Sequence, residues 1–184
     1  MFVDIVFNKD NEVMSLSKKL GFSNIYTIEK YNNNHKANFV LLEADELNKI
    51  KEVSKQYSLV FVDDSNNLTR AIIENKDVDC LVMNENTNLN QVILKIMQTN
   101  KVFLVIPFNK ILNSGNNLRI KILNKIKNAI KLARKYKVKI IVCSFASNIY
   151  ELRSLRDLIS FNVVMGMTGK EAKEAFSNLD LTIK

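Results

Sequence analysis

His35 is the only imidazole in this chain, and that restricts the chemistry the sequence can do. Metal-assisted hydrolysis at the strand ends of an α/β protein draws on clustered His, Asp and Glu. A lone histidine in the loop NNNHKAN reads as a solvated polar residue. Asp63-Asp64, closing LVFVDD, has the chemistry to bind a divalent ion. The pair reads better as turn and N-cap residues ahead of the helix NLTRAIIEN. Asp4, inside the first apolar run, is expected to face a barrel interior and to need a partner such as Lys or Arg. Ser144 and Ser147 have no histidine base nearby in sequence, and no Gly-x-Ser-x-Gly elbow exists. NSGNN at 113–117 holds one glycine, too few for a dinucleotide or P-loop cradle, though the helix it opens offers an N-terminus to a phosphate. Cys80 and Cys143 lie in VDCLV and IIVCS, far from Cys-x-x-Cys spacing, and are expected to be buried thiols in a reducing compartment.

With nucleophiles and metal sites weakly supported, the strongest signal is charge. Residues 86–150 contain twelve Lys and Arg and no Asp or Glu, whereas residues 1–85 hold ten basic and fourteen acidic side chains. Residues 151–184 hold five of each, so the net +8 is one basic block beside a mildly acidic remainder. Clustered charge of one sign raises the local concentration of phosphates and suggests a polyanionic partner. The competing reading is a lysine-rich composition decorating an ordinary surface. The abundance of Asn at turn positions agrees with a general Asn and Lys bias.

Short β-branched or aromatic runs near residues 2–7, 24–28, 39–43, 59–62, 80–83, 102–107 and 139–143 read as strands. Amphipathic stretches near 12–20, 45–56, 68–75, 89–98, 116–136, 155–164 and 169–177 read as helices. The alternation predicts α/β architecture: a TIM-like barrel of about seven parallel strands in a single domain over 1–184, with a flattened doubly wound sheet as the alternative. FNVVMG at 161–166 is open between helix and strand. No apolar run approaches the ~20 residues that span a bilayer. The opening MFVDIVFNKD has no signal-peptide pattern and is expected to be a first strand. The expected location is cytoplasmic.

Within the helix over 116–136, Leu118, Ile122, Ile126, Ala129, Ile130 and Ala133 define one buried stripe, with Lys127, Lys131, Arg134 and Lys135 on the opposite side. No Glu stands four residues away to neutralise that row. If a polyanion binds, Lys121, Lys125, Lys127, Lys131, Arg134 and Lys135 are the expected contacts. The segment CSFASNIYELRSLRDL follows a buried strand and carries Arg153, Arg156 and Asp157. The four-residue spacing of Arg153 and Asp157 would place them on one helical face, as a local ion pair or as a functional arginine.

At this segment the chain resembles a known family, protein component three of archaeal ribonuclease P, homologous to the thirty-kilodalton protein subunit of the eukaryotic enzyme. The resemblance runs from FVDIVF through KKLGF to NLTRAIIENKDVDCLV, with Arg70, Glu74, Val78 and Asp79 at pattern positions. It ends with IIVCS, Ala146-Ser147, Leu152-Arg153, Asp157-Leu158, Met165-Gly166-Met167 and Glu171-Ala172-Lys173. Leu155 stands where the family usually has proline, and Phe145 interrupts a run of small residues.

The resemblance implies a barrel subunit of the ribonucleoprotein that trims the 5′ leader from precursor tRNA. The family lies near metal-dependent phosphoesterase barrels, and the absent histidines agree with a barrel that has lost that role. Catalysis is then expected from the RNA, which holds Mg2+; this chain contributes no catalytic residue and no cofactor. The expected partners are ribonuclease P RNA, precursor tRNA through the complex, and a small α+β protein subunit in a hetero-oligomer. The family-like motifs add Arg70, Arg153 and Lys173 to the RNA contacts, with Asp157 orienting Arg153. Two other functions remain open to the residues: a small barrel enzyme taking a phosphorylated metabolite through Arg153 and the Ser144 loop, and a scaffold whose basic face meets an acidic protein.

Overall fold

A computed structural model describes residues 1–7, 10–31, 37–64 and 66–181. His35 lies outside the described residues. The seven predicted strands are all present: β1 (Val3–Val6), β2 (Asn24–Lys30), β3 (Phe39–Glu43), β4 (Leu59–Asp63), β5 (Cys80–Val82), β6 (Phe103–Pro107) and β7 (Ile140–Cys143). They pair in parallel in sequence order. Their connections carry α1 (Asn11–Lys19), α2 (Ile50–Val53, after a 3-10 turn over Ala44–Lys49), α3 (Thr69–Glu74), α4 (Gln91–Asn100), α5 (Phe108–Leu112) and α6 (Asn116–Tyr136). After β7 come α7 (Leu155–Val164) and α8 (Gly169–Glu174). The open question at 161–166 resolves as the end of α7 followed by a turn through Gly166 (φ 112). The short helix α5 has no counterpart in the sequence reading, because five residues after a proline are too few to show a helical period.

Strand alternation separates two apolar layers. Val3, Ile5, Ile28, Phe39, Leu41, Leu59, Phe61, Cys80, Val82, Phe103, Val105, Ile141 and Cys143 form the cluster inside the barrel. Val40, Leu42, Val60, Val62, Leu81, Leu104, Ile106 and Val142 face the helices, where Ile122, Ile126 and Ile130 of α6 meet them. Aromatic rings pack in a chain through the interior: Tyr26 to Phe39 at 5.2 Å, Phe39 to Phe61 at 5.5 Å, Phe61 to Phe145 at 6.2 Å and Phe145 to Phe7 at 5.3 Å. The interior is a packed core, as in other small parallel barrels. Phe145 is one of these rings. It reaches its place with a left-handed backbone (φ 48).

The seam between β1 and β7 is closed without a regular ladder. At the carboxyl end, Phe145 N–H donates to Ile5 O at 2.9 Å and Phe7 N–H to Ala146 O at 2.9 Å. At the opposite end the chain after α8 enters the gap: Val3 N–H donates to Phe176 O at 2.8 Å and Val142 N–H to Ala175 O at 3.1 Å. Leu179 then joins the interior cluster. Residues 175–179 thus stand where an eighth strand would otherwise be needed, and supply acceptors to the free edges of β1 and β7 at this end.

Candidate nucleic-acid interface

The carboxyl mouth of the barrel is where catalytic groups of such folds gather. Here it is occupied by internally matched pairs. Asp63 ends β4 with Lys110 of α5 as its ion-pair partner, and Asn84 Nδ2 donates to its other oxygen at 2.6 Å. Glu43, the cross-strand neighbour of Asp63, lies 3.4 Å from Lys30. Asp64 is fully buried and accepts from the Thr69 hydroxyl; burial pushes its carboxyl above the usual range. Neither aspartate is the N-cap of α3, a position held by Leu68, so the capping expectation is corrected. Among the described residues no group of three His, Cys, Asp or Glu is arranged to hold a metal ion. Cys80 and Cys143 are buried free thiols that burial pushes well above their ordinary pKa.

Asp4 departs from expectation in direction and partner. Its strand neighbours Val3 and Ile5 face the interior, so alternation turns Asp4 outward into the seam. Its carboxylate accepts from Ser144 N–H at 2.7 Å, Ser144 Oγ–H at 2.6 Å and Ile5 N–H at 2.9 Å. Complete burial outweighs these bonds and raises its pKa to about 6. No Lys or Arg is involved; three donors satisfy the group instead. Ser144 is therefore a fully buried seam residue, which removes the loop on which a phosphorylated-metabolite site was to be built.

Helix α6 has the predicted bounds, and Ile122, Ile126, Ala129, Ile130 and Ala133 are buried as predicted. Leu118 is the exception: it lies beyond the strand wall, on the rim of the mouth groove with Lys110 and Asn113. Lys121, Lys127 and Lys131 are exposed, with no hydrogen bond or ion pair among the described residues. The other three lysine and arginine candidates on this helix make internal contacts. Lys125 donates to the carbonyls of Glu85 at 2.5 Å and Thr87 at 3.0 Å, pinning the loop after β5. Arg134 makes a forked pair with both oxygens of Glu171 at 2.7 Å each and reaches Gly166 O at 2.6 Å. That fork holds the Glu171 carboxyl down at about 2. The lysine of Lys135 lies 5.5 Å from the centre of the Tyr136 ring.

The motif residues show the same pattern. Arg70 pairs with Glu74 one turn on, at 2.7 Å. Arg153 precedes Ser154, the N-cap of α7, so its spacing to Asp157 is not a turn of helix. Its guanidinium donates to the carbonyls of Tyr150 at 2.7 Å and Leu152 at 2.6 Å. No contact joins it to the Asp157 carboxylate. Asp157 instead lies in the first turn of α7, where a carboxylate complements the helix dipole. Lys173 is exposed on α8. The sequence reading passed over Lys95, Lys101 and Lys137, also exposed and without side-chain partners among the described residues. Their available signal was position: Lys101 and Lys137 each directly follow a helix and precede a buried valine.

Comparisons with known proteins bear on the fold and the family. A solved chain from a "cryo-EM structure of archaeal Ribonuclease P with mature tRNA" superposes with a TM-score of 0.82 at 18% identity, covering 96% of this chain and 88% of that one. That likeness supports the TIM-like barrel fold. "Ribonuclease P protein component 3" of Methanosarcina mazei is 36% identical over 115 residues, 61% of this chain and 48% of the relative. The protein of the same name from Methanothermobacter thermautotrophicus is 25% identical over 139 residues, 73% of this chain and 57% of the relative. The chain spans about half the length of the curated relatives it matches. The model of the family described as "RNase P subunit p30" matches residues 36–183, and the chain belongs to that family.

Proposed function

We propose that this chain is a protein subunit of ribonuclease P, the ribonucleoprotein endonuclease that removes the 5′ leader from precursor tRNA. In this reading it binds and stabilises the catalytic RNA in the cytoplasm, beside a small α+β partner subunit. The observation that carries it is the outward face of α6 in a member of this family: Lys121, Lys127 and Lys131 project without partners from a segment that holds no acid. Such cations displace condensed counterions from RNA phosphates, which gives salt-dependent affinity. A-form RNA hides its major groove, so contacts to backbone and shape are expected over contacts to base edges. The RNA supplies the catalytic Mg2+; the mouth of this barrel, with Asp63 and Glu43 each matched to a lysine, supplies no catalytic group.

No membrane-spanning candidate exists among the described residues, since no helix is long and apolar enough to cross. The alternative of a phosphorylated-metabolite enzyme is not favoured. Ser144 is buried against Asp4, the Arg153 guanidinium is held by carbonyls, and aromatic rings fill the interior. The test is cleavage of precursor tRNA by Methanosarcina mazei ribonuclease P RNA and its protein partners, with this chain present or omitted, across a magnesium series. The expected result is a lower magnesium requirement when the chain is present and no cleavage by the chain alone. Cleavage by the chain without RNA, or identical magnesium curves, would overturn the proposal.

A further inference from the structure

The amino-terminal rim of the barrel, opposite the mouth, carries a second concentration of positive charge. α4 and α6 both end on a lysine with left-handed backbone, Lys101 (φ 59) and Lys137 (φ 58). Each is followed by a buried valine and then a strand, and the two loops run side by side, with Leu104 N–H donating to Lys139 O at 3.0 Å. Lys101, Lys137 and Lys139 line one groove of about 330 Å³ over an apolar floor that includes Met97, Val102 and Phe103. The Lys139 ammonium lies 5.9 Å from the centre of the Phe103 ring. No Asp or Glu lines this groove.

Two features set the cluster apart from ordinary surface lysines. First, three like charges line one solvent-open groove whose own lining holds no acid. Glu171 and Glu174 border the neighbouring groove beside Lys137 and Lys139, and Glu171 is already engaged by Arg134. The three cations thus leave a local excess of positive charge that favours an anion. Second, left-handed backbone is unfavourable for a residue with a β-carbon, and glycine or asparagine is the usual choice after a helix. This chain does use such residues elsewhere, at Gly21 (φ 100), Gly166 (φ 112) and Asn67 (φ 57). A lysine at both rim positions gives up that ease of folding. The favourable interaction of a cation with a helix C-terminus is the competing explanation, and it makes an opposite prediction about stability.

We propose that Lys101, Lys137 and Lys139 form a phosphodiester-binding cleft for the ribonuclease P RNA, separate from the outward face of α6. The inference rests on the RNA-binding reading above. It adds a second contact at the far end of the strands, with the Phe103 ring holding the Lys139 ammonium over the groove.

The experiment measures binding of labelled Methanosarcina mazei ribonuclease P RNA to the full chain over a salt series, beside thermal melting. The variant is Lys101→Gly/Lys137→Gly/Lys139→Gln. The expected result is a slope of log K against log salt smaller by about two, since each lost phosphate contact removes about 0.7–0.9. Melting should be unchanged or higher by about 2–4 °C, as left-handed strain is relieved. Lys139→Gln alone, at a position with ordinary backbone, should lower the slope by under one. An unaltered slope in both variants, with wild type binding normally, overturns the cleft and leaves the RNA reading standing. A lower melting temperature with an unaltered slope assigns the lysines to the helix ends and also overturns it. Lost binding to the small protein subunit, with RNA affinity retained, would assign the groove to a protein. Failure of wild type to bind RNA at low salt removes the underlying reading itself.

Discussion

Two charged regions of this barrel use their side chains in opposite ways. In the closing segment, 144–179, several polar groups are engaged by the protein itself, while Arg156, Asp157, Lys170, Lys173 and Glu174 are exposed. Ser144 serves Asp4, Glu151 accepts from Asn113 at 3.0 Å and from Ser147 N–H at 2.8 Å, Arg153 serves two carbonyls, and Glu171 completes a capping box while gripping Arg134. In the flank built from α4 and α6, Lys95, Lys121, Lys127 and Lys131 point outward without partners among the described residues. The closing segment carries the most specific family-like motif, and its backbone completes a barrel that lacks an eighth strand. The difference teaches that a motif arginine and a surface lysine answer different questions: one reports how a local segment is held, the other what the surface can attract.

The contrast can be broken at the seam first, where the expected effect is largest. Asp4→Ala strands the N–H groups of Ser144 and Ile5 in a dry environment and should cost about 3 kcal/mol of stability. Urea melts report this, and the salt slope of RNA binding by the remaining folded protein should match wild type. A change in slope would mean that the seam is also an RNA surface. The same carboxyl gives a pH signature. Its folded pKa of about 6 lies above the ordinary value of 3.8, so the folded state holds the proton more tightly than the unfolded state. Stability should therefore fall as pH rises from about 4 to about 6, by up to about 3 kcal/mol. Asp4→Asn should flatten that part of the profile, and a profile unchanged by the substitution would contradict the assignment.

A smaller effect is expected where α6 meets the closing segment. Glu171→Gln weakens the fork to Arg134, and with solvent screening allowed for the loss should be about 1 kcal/mol. The sign with pH is opposite to that of Asp4. The Glu171 carboxyl is held near 2, against an ordinary 4.5, so its contribution is present above about 4.5 and fades as pH falls towards 2. Melting of wild type and variant should converge in acid. Least costly to the fold is the flank itself: Lys121→Gln/Lys127→Gln/Lys131→Gln should shift stability by no more than about 0.5 kcal/mol. Arg153→Ala sharpens the comparison from the other side. It should lower stability by about 1 kcal/mol through its lost carbonyl contacts, and should lower precursor tRNA cleavage only if the guanidinium also meets a phosphate.

Much of the fold was legible because most strands are short β-branched or aromatic runs covered on both faces, and because α6 is long enough for its apolar period to be read. The bounds of α6 follow from that period; the end of α7 does not, because the β-branched Val163 and Val164 leave 161–166 open between helix and strand. What could not be read was set by contacts remote in sequence. Arg134 lacks an acid four residues away, yet Glu171 reaches it across the fold; a charge row judged along one helix misses such a partner. An acid inside a short apolar run does not show which face it takes; the interior placement of Val3 and Ile5 fixes Asp4 on the other face. Leu118 fits the apolar period, but the helix outruns the wall it packs on. The candidate site rests on a region, the acid-free block, and the structure divides its residues: of six α6 positions, Lys125, Arg134 and Lys135 make contacts within the protein, and Lys121, Lys127 and Lys131 make none among the described residues.

The most direct measurement is the salt dependence of ribonuclease P RNA binding for two variants compared with wild type: the α6 triple Lys→Gln variant and Glu171→Gln. An outward flank that binds phosphates predicts a slope reduced by about two to three for the triple variant, at unchanged melting temperature, with the slope of Glu171→Gln equal to wild type. A wild-type slope in the triple variant, or a reduced slope in Glu171→Gln at temperatures where it is fully folded, would contradict the division of labour between flank and closing segment.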